Sequence, residues 1–528
     1  MKGMGRKRKD TSNDALETRS VAELEGVPIS SEIEENKVLL EKLFSDSSDF
    51  VLRKFTLKNS VDAIAVFVDG LIDTSEVNQA LKALMLLEDG PPDIEVIEKA
   101  LLPVCQISRV YDYKQLLEAV LSGDTGILVQ GNEEALTLGI RGMEKRSVNE
   151  PEGEAVVRGP REGFVENIRT NTSMVRRKLK TPRLKMKSMV VGRESNTNVV
   201  ISFIENIVDP RVLEEVENRI KRIEIDAVLE SGYLESLIQD NLLSPFPQVM
   251  YSERPDTVAA SLLEGRVAIF IDGTPMVLLV PTTFWMMMQA SEDYYERFQM
   301  GTLIRWLRYL FFVIALLTPA IYVAITTFHQ QMLPTTLLLS IAAAREAIPF
   351  PAIVEVLIME VAFEALREAG IRLPKTVGQA VSILGALVVG QAAVQAGIVS
   401  APMVIVVSIT GIASFTIPHF NLAIALRMLR FPLMIAASIL GIYGILVGLM
   451  LVIGHMANLR SFGIPYLSPV APMSVRDLKD VLVRAPWMKM TMRPDFMKIQ
   501  NNRRIGEDFV RKEAEADQEQ LEKSEDHQ

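Results

Sequence analysis

The chain has 528 residues, more than one hydrophobic core usually organises, and a formal net charge of −10. That balance argues against nucleic-acid binding, which needs concentrated Lys and Arg. The single cysteine, Cys105, excludes an intramolecular disulfide and a cysteine-based metal cluster, and suits a soluble part in a reducing compartment.

Lys2, Arg6, Lys7, Arg8 and Lys9 open the chain like the basic end of a signal peptide, but Asp10, Asn13, Asp14 and Glu17 stand where an apolar stretch would follow. The expectation is an uncleaved N-terminus in the cytoplasm, with residues 1–30 disordered. Next come segments whose apolar spacing predicts helices over Glu32–Phe44, Gln115–Leu121, Glu162–Leu179 and Pro210–Ile223. Between them, Ala63–Val68, Gly126–Val129, Val190–Ile204 and Val267–Ile271 read as strands, being β-branched and bounded by turn residues. An α/β or α+β class follows, in two subdomains over 31–150 and 151–300, divided at the polar breaker run Glu150-Pro151-Glu152-Gly153.

Val66-Phe67-Val68-Asp69-Gly70 is echoed by Ile269-Phe270-Ile271-Asp272-Gly273. Either the two halves are related, or each Asp-Gly simply ends a buried strand in a tight turn. The densest basic run of this region comprises Arg169, Arg176, Arg177, Lys178, Lys180, Arg183, Lys185 and Lys187. It can meet anionic lipid headgroups or an acidic neighbouring subunit, or form a solvated helix face.

From about Tyr309 to His455 the chain is almost apolar, which predicts an all-α, multi-pass membrane domain over 305–457 with about five crossings. The first lies near Tyr309–Phe328, and Pro334 then opens a short or re-entrant piece near 331–348. Val377–Leu426 lacks Asp, Glu, Lys and Arg, and as one helix would run roughly 75 Å, so it must cross twice, with its break at Gly397–Pro402. Phe431–Leu459 is long enough for one more crossing. Arg367, Arg372 and Lys375 in one loop, and Arg427 and Arg430 in another, suggest cytoplasmic loops. The tail carries Arg460, Arg476, Lys479, Arg484 and Arg493, yet five crossings put it on the opposite side. A polar segment over 458–500 and an acidic tail over 501–528 complete the chain.

Two sets of polar residues interrupt the apolar spans. Glu360, Glu364 and Glu368 share one helical stripe, with Glu355 about 140° around from Glu360. Glu355, Glu360 and Glu364 either line an ion pathway or pair with Arg345 or Arg367. Gln391 and Gln395, one turn apart among Gly385, Gly390, Ala392, Ala393, Ala396 and Gly397, serve either close helix contact or a pore. No phosphate loop, zinc-ligand spacing or nucleophile elbow appears, so neither an enzyme nor a bound cofactor or metal is expected.

Longer motifs then carry a resemblance. They include Arg345-Glu346-Ala347-Ile348-Pro349-Phe350-Pro351, Met359-Glu360, and the run Glu364–Pro374 containing Arg367, Gly370 and Pro374. Val157–Phe164, Glu253–Asp256, Ile271–Pro275, Glu292–Tyr295 and Leu459–Tyr466 extend the match over roughly Glu35–Phe496. The chain resembles the A subunit of the GerA family of bacterial spore germination receptors. That resemblance implies a spore inner membrane protein that acts with B and C subunits in nutrient sensing and oligomerises around a path for monovalent cations. Within the family, a stage V sporulation AF-type, germination-amplifying paralogue is the alternative. A secondary transporter is the alternative from another class, because broken helices and midplane polar residues are typical there too.

Overall fold

The structure, a computed structural model, describes residues 21–57, 61–86, 94–101, 106–142, 150–151, 153–373, 390–506 and 509. Cys105, Pro374, Lys375, Gly385, the first part of Val377–Leu426, the basic N-terminus and the acidic tail lie outside the described residues.

Among the described residues, two five-stranded sheets organise the first 280 positions. The first half runs α1 (Ile33–Leu43), β1 (Phe50–Thr56), β2 (Asp62–Val68), α2 (Thr74–Met85), α3 (Ile94–Leu101), β3 (Ile107–Val110), α4 (Tyr113–Val120), β4 (Thr125–Val129) and β5 (Ala135–Leu138). The second runs α5 (Ile168–Lys178), β6 (Leu184–Val191), β7 (Thr197–Ile204), α6 (Pro210–Lys221), α7 (Ser231–Ile238), β8 (Met250–Ser252), α8 (Pro255–Leu263), β9 (Val267–Ile271) and β10 (Val277–Val280). Strand orders are β1-β2-β4-β5-β3 and β6-β7-β9-β10-β8, every pairing antiparallel. Both halves therefore repeat one topology, and the antiparallel pairing makes the class α+β.

Each sheet is covered by helices on both faces, which explains why its central strands are largely apolar on both sides. Along β2, Ile64, Val66 and Val68 pack with Leu40 of α1 and Leu117 of α4, while Ala63, Ala65 and Phe67 pack with Leu81 of α2 and Ile97 of α3. Along β7, Val200 and Ile204 meet Val175 of α5 and Leu262 of α8, and Val199, Ile201 and Phe203 meet Val216 of α6 and Leu234 of α7.

The Asp-Gly echo does not align this repeat. Val66–Val68 closes the second strand of its half, whereas Ile269–Ile271 closes the fourth of the other. What the halves share there is backbone: the second position after each strand has positive φ at Gly70 and Asn206, and at Gly131 and Gly273. Within the sheet-containing halves, two element expectations need correction. Val190–Ile204 is a hairpin, β6 turning through Gly192 (φ +94°) and Asn196 (φ +45°) into β7, because the polar turn is flanked by apolar residues on both sides. The helix expected from Glu162 starts at Ile168, where the Asn167 side chain accepts the Arg169 and Thr170 amides.

Members of the basic run have a role beyond those expected. Arg176, wholly buried, donates to both carboxylate oxygens of Asp49 at 2.8 Å, and buried Lys185 donates to the Leu43 carbonyl at 3.0 Å. Met186 also exchanges main-chain bonds with Asp46 and Ser48. The run clamps one half onto the other.

Beyond the sheets the chain is helical: α9 (Phe298–Thr327), α10 (Thr335–Arg345), α11 (Ala352–Arg372), a short helical piece at 390–395, α12 (Ala401–Phe415), α13 (Phe420–Leu440) and α14 (Ile442–Asn458). By length and composition, α9 and α13 are long and apolar enough to cross a membrane, and α10, α12 and α14 are shorter apolar helices. The break expected at Gly397–Pro402 is present, with Gly397 at φ +65° and Pro402 in the first turn of α12. Phe431–Leu459, by contrast, is not one helix. Gly441 separates α13 from α14 at φ +62°, ψ −139°, a conformation open essentially to glycine alone. Nor do Arg427 and Arg430 lie in a loop, because α13 runs straight through them and through Pro432.

After α14 the chain returns to the second sheet. The hairpin β11 (Arg460–Ser461) and β12 (Ile464–Pro465) docks through Ser461 Oγ, which accepts the Thr282 amide at 2.9 Å and donates to the Gln248 carbonyl at 2.7 Å. Further on, Arg493 Nε donates to the Leu263 carbonyl at 2.7 Å. The polar C-terminal segment thus lies on the same side of the helices as the sheets.

Candidate functional site

An ionised side chain among apolar helices is costly unless paired, so the charges of α11 and their partners are the natural candidates. Glu355 is wholly buried in the first turn of α11; one oxygen accepts from Arg345 Nε at 3.0 Å, the other from the Ser400 amide at 3.0 Å, just ahead of α12. Five residues on, Glu360 accepts from Arg430 Nη1 at 2.6 Å, and Arg430 Nε donates to the Ala315 carbonyl of α9 at 2.9 Å. Both side chains of that pair are only 1% exposed. One turn further, Glu364 takes Arg427 at 2.9 Å and Arg367 at 3.4 Å, and Arg367 also donates to Ser414 Oγ of α12 at 3.0 Å. Phe363 and Phe415 lie under the Arg367 guanidinium, 5.1 and 4.8 Å from its centre.

The three glutamates thus form rungs that tie α11 to α9, α12 and α13. Pairing with Arg345 and Arg367 is as the sequence offered; Arg427 and Arg430, which sequence reasoning assigned to a loop, are the added partners. Glu360 Oε1 and Arg430 Nη2 are buried with no hydrogen-bond partner among the described residues.

Gln391 and Gln395 are not part of this ladder. They lie exposed on the piece at 390–395, whose Gly390 backs closely onto Val404 of α12. Pro349, Phe350 and Pro351 form the exposed turn entering α11, where the Pro351 carbonyl accepts the Val354 and Glu355 amides; Gly370 falls in the last turns of α11. Among the described residues, no group of three or more His, Cys, Asp or Glu is placed to hold a metal ion.

A second charged cluster, unnoticed in the sequence, sits where α9 leaves the sheets. Buried Asp293 accepts from Arg305 Nε at 3.0 Å and from both terminal nitrogens of Arg308 at 3.0 Å. Asp480 of the C-terminal segment takes Arg305 at 3.2 Å and the Tyr294 hydroxyl at 3.0 Å. Burial outweighs the nearby Arg305 and pushes the Asp480 carboxyl up to about 6. Sheets, first long helix and tail therefore meet at one buried ionic joint. The sequence signals for it were the pair Arg305 and Arg308, three residues apart at the start of an apolar run, and the motif Glu292–Tyr295, which contains Asp293 and Tyr294.

Residues 38–496 match the family model for the Bacillus/Clostridium GerA spore germination protein. The chain belongs to the GerA family. Among its relatives, the membrane protein YfkQ of Bacillus subtilis (strain 168), named as uncharacterized, is 53% identical over 88% of this chain and 91% of its own length. Spore germination protein KA of the same organism is 45% identical over 91% of this chain and 90% of its own, and spore germination protein A1 is 39% identical over 86% and 94%. The crystal structure of the N-terminal domain of the A subunit of the Bacillus megaterium spore germinant receptor GerK3 matches 49% of this chain and 97% of its own, at 35% identity and a TM-score of 0.39.

Proposed function

We propose that this GerA-family chain is the A subunit of a nutrient-responsive receptor in the spore inner membrane, where copies of it assemble with B and C subunits around a path for monovalent cations. In this reading the helical region crosses the membrane several times, and the sheets and C-terminal segment share the cytoplasmic side, consistent with Arg460, Arg476, Lys479, Arg484 and Arg493 in that segment. One observation carries the reading: three glutamates stand paired among apolar helices, where charge is expensive and hence functional by default. Glu355, Glu360 and Glu364 lie near the cation path, and their arginines hold it shut. Gln391 and Gln395, exposed on the protomer, line its narrow part in the assembly. Nutrient held by a partner subunit opens the path only by binding the open assembly more tightly than the closed one.

The test is potassium release from purified dormant spores with and without the gene, over a panel of single amino acids, sugars and nucleosides. Loss for one nutrient class, restored by the gene, is the expected result. Uniformly slower release for all nutrients would replace the receptor reading by the amplifying one. Replacing Gln391 and Gln395 by leucine should change the rate of release at normal protein level; an unchanged rate removes them from the mechanism.

A further inference from the structure

The loop between α7 and β8 displays two leucines that no described residue covers. Leu242 is 71% and Leu243 95% exposed, yet the loop around them is firmly held. Asn241 accepts the Leu243 amide on its side chain at 3.0 Å, and fully buried Gln248 bonds both the amide and the carbonyl of Asn241. Ser244 Oγ lies 2.8 Å from His455 Nε2 in the last turn of α14, and buried Phe246 stacks on the same imidazole. The loop is therefore fixed to the end of a helix whose outer face is itself apolar and exposed at Val447, Met450, Leu451 and Ile453.

Helix lengths set the level of this loop. α13 and α14 meet at Gly441 and return side by side, with 21 and 17 residues, so α13 reaches about 6 Å further toward the sheets at about 1.5 Å per residue. If α13 spans a hydrocarbon layer about 30 Å thick, the boundary passes beyond the end of α14, the end to which this loop is fixed through Ser244 and Phe246. α9 gives the same level independently. Its far end lies against Gly441, where Phe328 would meet an added Cβ, and 22 residues before Phe328 stands exposed Trp306, the residue type that marks membrane boundaries. No Asp, Glu, Lys or Arg occurs between Asp240 and Glu253, and Asp240 itself is taken up by Arg219 and the Phe462 amide.

We propose that residues 241–246 form a rigid membrane wedge, with Leu242 and Leu243 set into the lipid beside the end of α14. The inference rests on the membrane-crossing reading of the helices. Its occupant is lipid because the two leucines stand at the end of a helix whose outer face is apolar, in a stretch that carries no charged side chain.

The test uses the full chain with Cys105→Ser, the sole native cysteine removed, and one new cysteine at a time: Leu243→Cys, Met450→Cys or Leu86→Cys. Each is labelled with an environment-sensitive fluorophore and reconstituted in phosphatidylcholine–phosphatidylglycerol vesicles. Lipid carrying a shallow nitroxide should quench the label at 243 at least half as strongly as that at 450, and iodide should quench it several-fold less than the label at 86, on a helix end of the first half. Iodide quenching at 243 equal to that at 86, with 450 still lipid-quenched, refutes the wedge and leaves the crossing helices intact. Shielding of 243 from both quenchers assigns the leucines to a protein contact and equally overturns the proposal. No lipid quenching at 450 removes the crossing reading and the wedge with it. Leu242→Cys repeats the measurement should the first label perturb the loop.

Discussion

Arg430→Met should be among the most damaging single changes in the helical region, and its damage should be largely reversed by Glu360→Leu. The pair is 1% exposed on both sides at 2.6 Å, and Glu360 Oε1 has no other partner among the described residues. At an effective dielectric near 20, opposite charges about 4 Å apart attract by about 4 kcal/mol. Removing one partner of such a pair costs about 3–5 kcal/mol because the other charge stays buried, whereas replacing both by apolar residues is close to neutral. Glu360→Leu alone should cost less than Arg430→Met, since Arg430 keeps the Ala315 carbonyl at 2.9 Å. The assay is a double-mutant cycle on the full chain in mixed micelles, following tryptophan fluorescence through a detergent-unfolding titration, with the amount of protein in spore membranes as a second readout. A coupling of about 3 kcal/mol or more is expected, and a double variant that accumulates where Arg430→Met does not. Costs that add within about 0.5 kcal/mol would show that the two residues do not depend on each other, and the ladder would lose its energetic meaning.

Three further outcomes follow from other parts of the molecule. Asp49→Asn strands the wholly buried Arg176 and should cost about 3–5 kcal/mol, seen as an earlier urea transition and faster proteolysis between the halves, with Asp49→Leu plus Arg176→Met recovering most of it. Burial, reinforced by Glu230, pushes the Glu235 carboxyl up from 4.5 to about 7, so its protonated form is the one the fold prefers. The parent should therefore lose stability relative to Glu235→Gln as pH rises from about 4.5 to about 7, by about 3 kcal/mol at the upper end; parallel pH–stability curves would refute the shift. Gly441→Ala places a Cβ 2.6 Å from the His329 ring in a backbone region reserved for glycine, and should cost at least about 1–3 kcal/mol in thermal unfolding; an unchanged midpoint would mean that the α13–α14 turn is not built this way.

Much of the fold of the two sheet-containing halves is legible wherever burial and punctuation coincide. β9 is apolar at all five positions and bounded by Gly265 and Gly273; α6 opens on Asp209 and Pro210 and carries Val212, Val216 and Ile220 inward at helical spacing. The repeat of topology is not legible, because it resides in strand order and in backbone φ at equivalent turns. Gly70 and Asn206 perform the same turn with different residues, while the matching Asp-Gly strings end strands that are not equivalent. The clamp between the halves is hidden for another reason: Asp49 and Arg176 are 127 positions apart, and a basic run shows its charge but not which member is buried.

Of the candidate site, the acids were legible and their partners only partly so. Arg427 and Arg430 resemble loop residues because positive charge usually marks the ends of spans. The signal against that reading is complementarity between two apolar segments. Glu360 and Glu364 are four residues apart, Arg427 and Arg430 three, and the rungs cross: Glu360 meets Arg430, and Glu364 meets Arg427. Rising numbers on one helix meet falling numbers on the other, which is how neighbouring helices of opposite direction must pair. Along the axes the acids are spaced about 6 Å and the arginines about 4.5 Å, so two ideal rungs do not fit at once. The mismatch falls on the outer rung, where Glu364 is shared between Arg427 and Arg367 and is 31% exposed, while the inner rung closes tightly at 2.6 Å. A ladder with one tight and one shared rung can exchange partners at its outer end before its inner end yields. Arg367, already bonded to both Glu364 and Ser414, is the residue through which α11 and α12 would feel that exchange first.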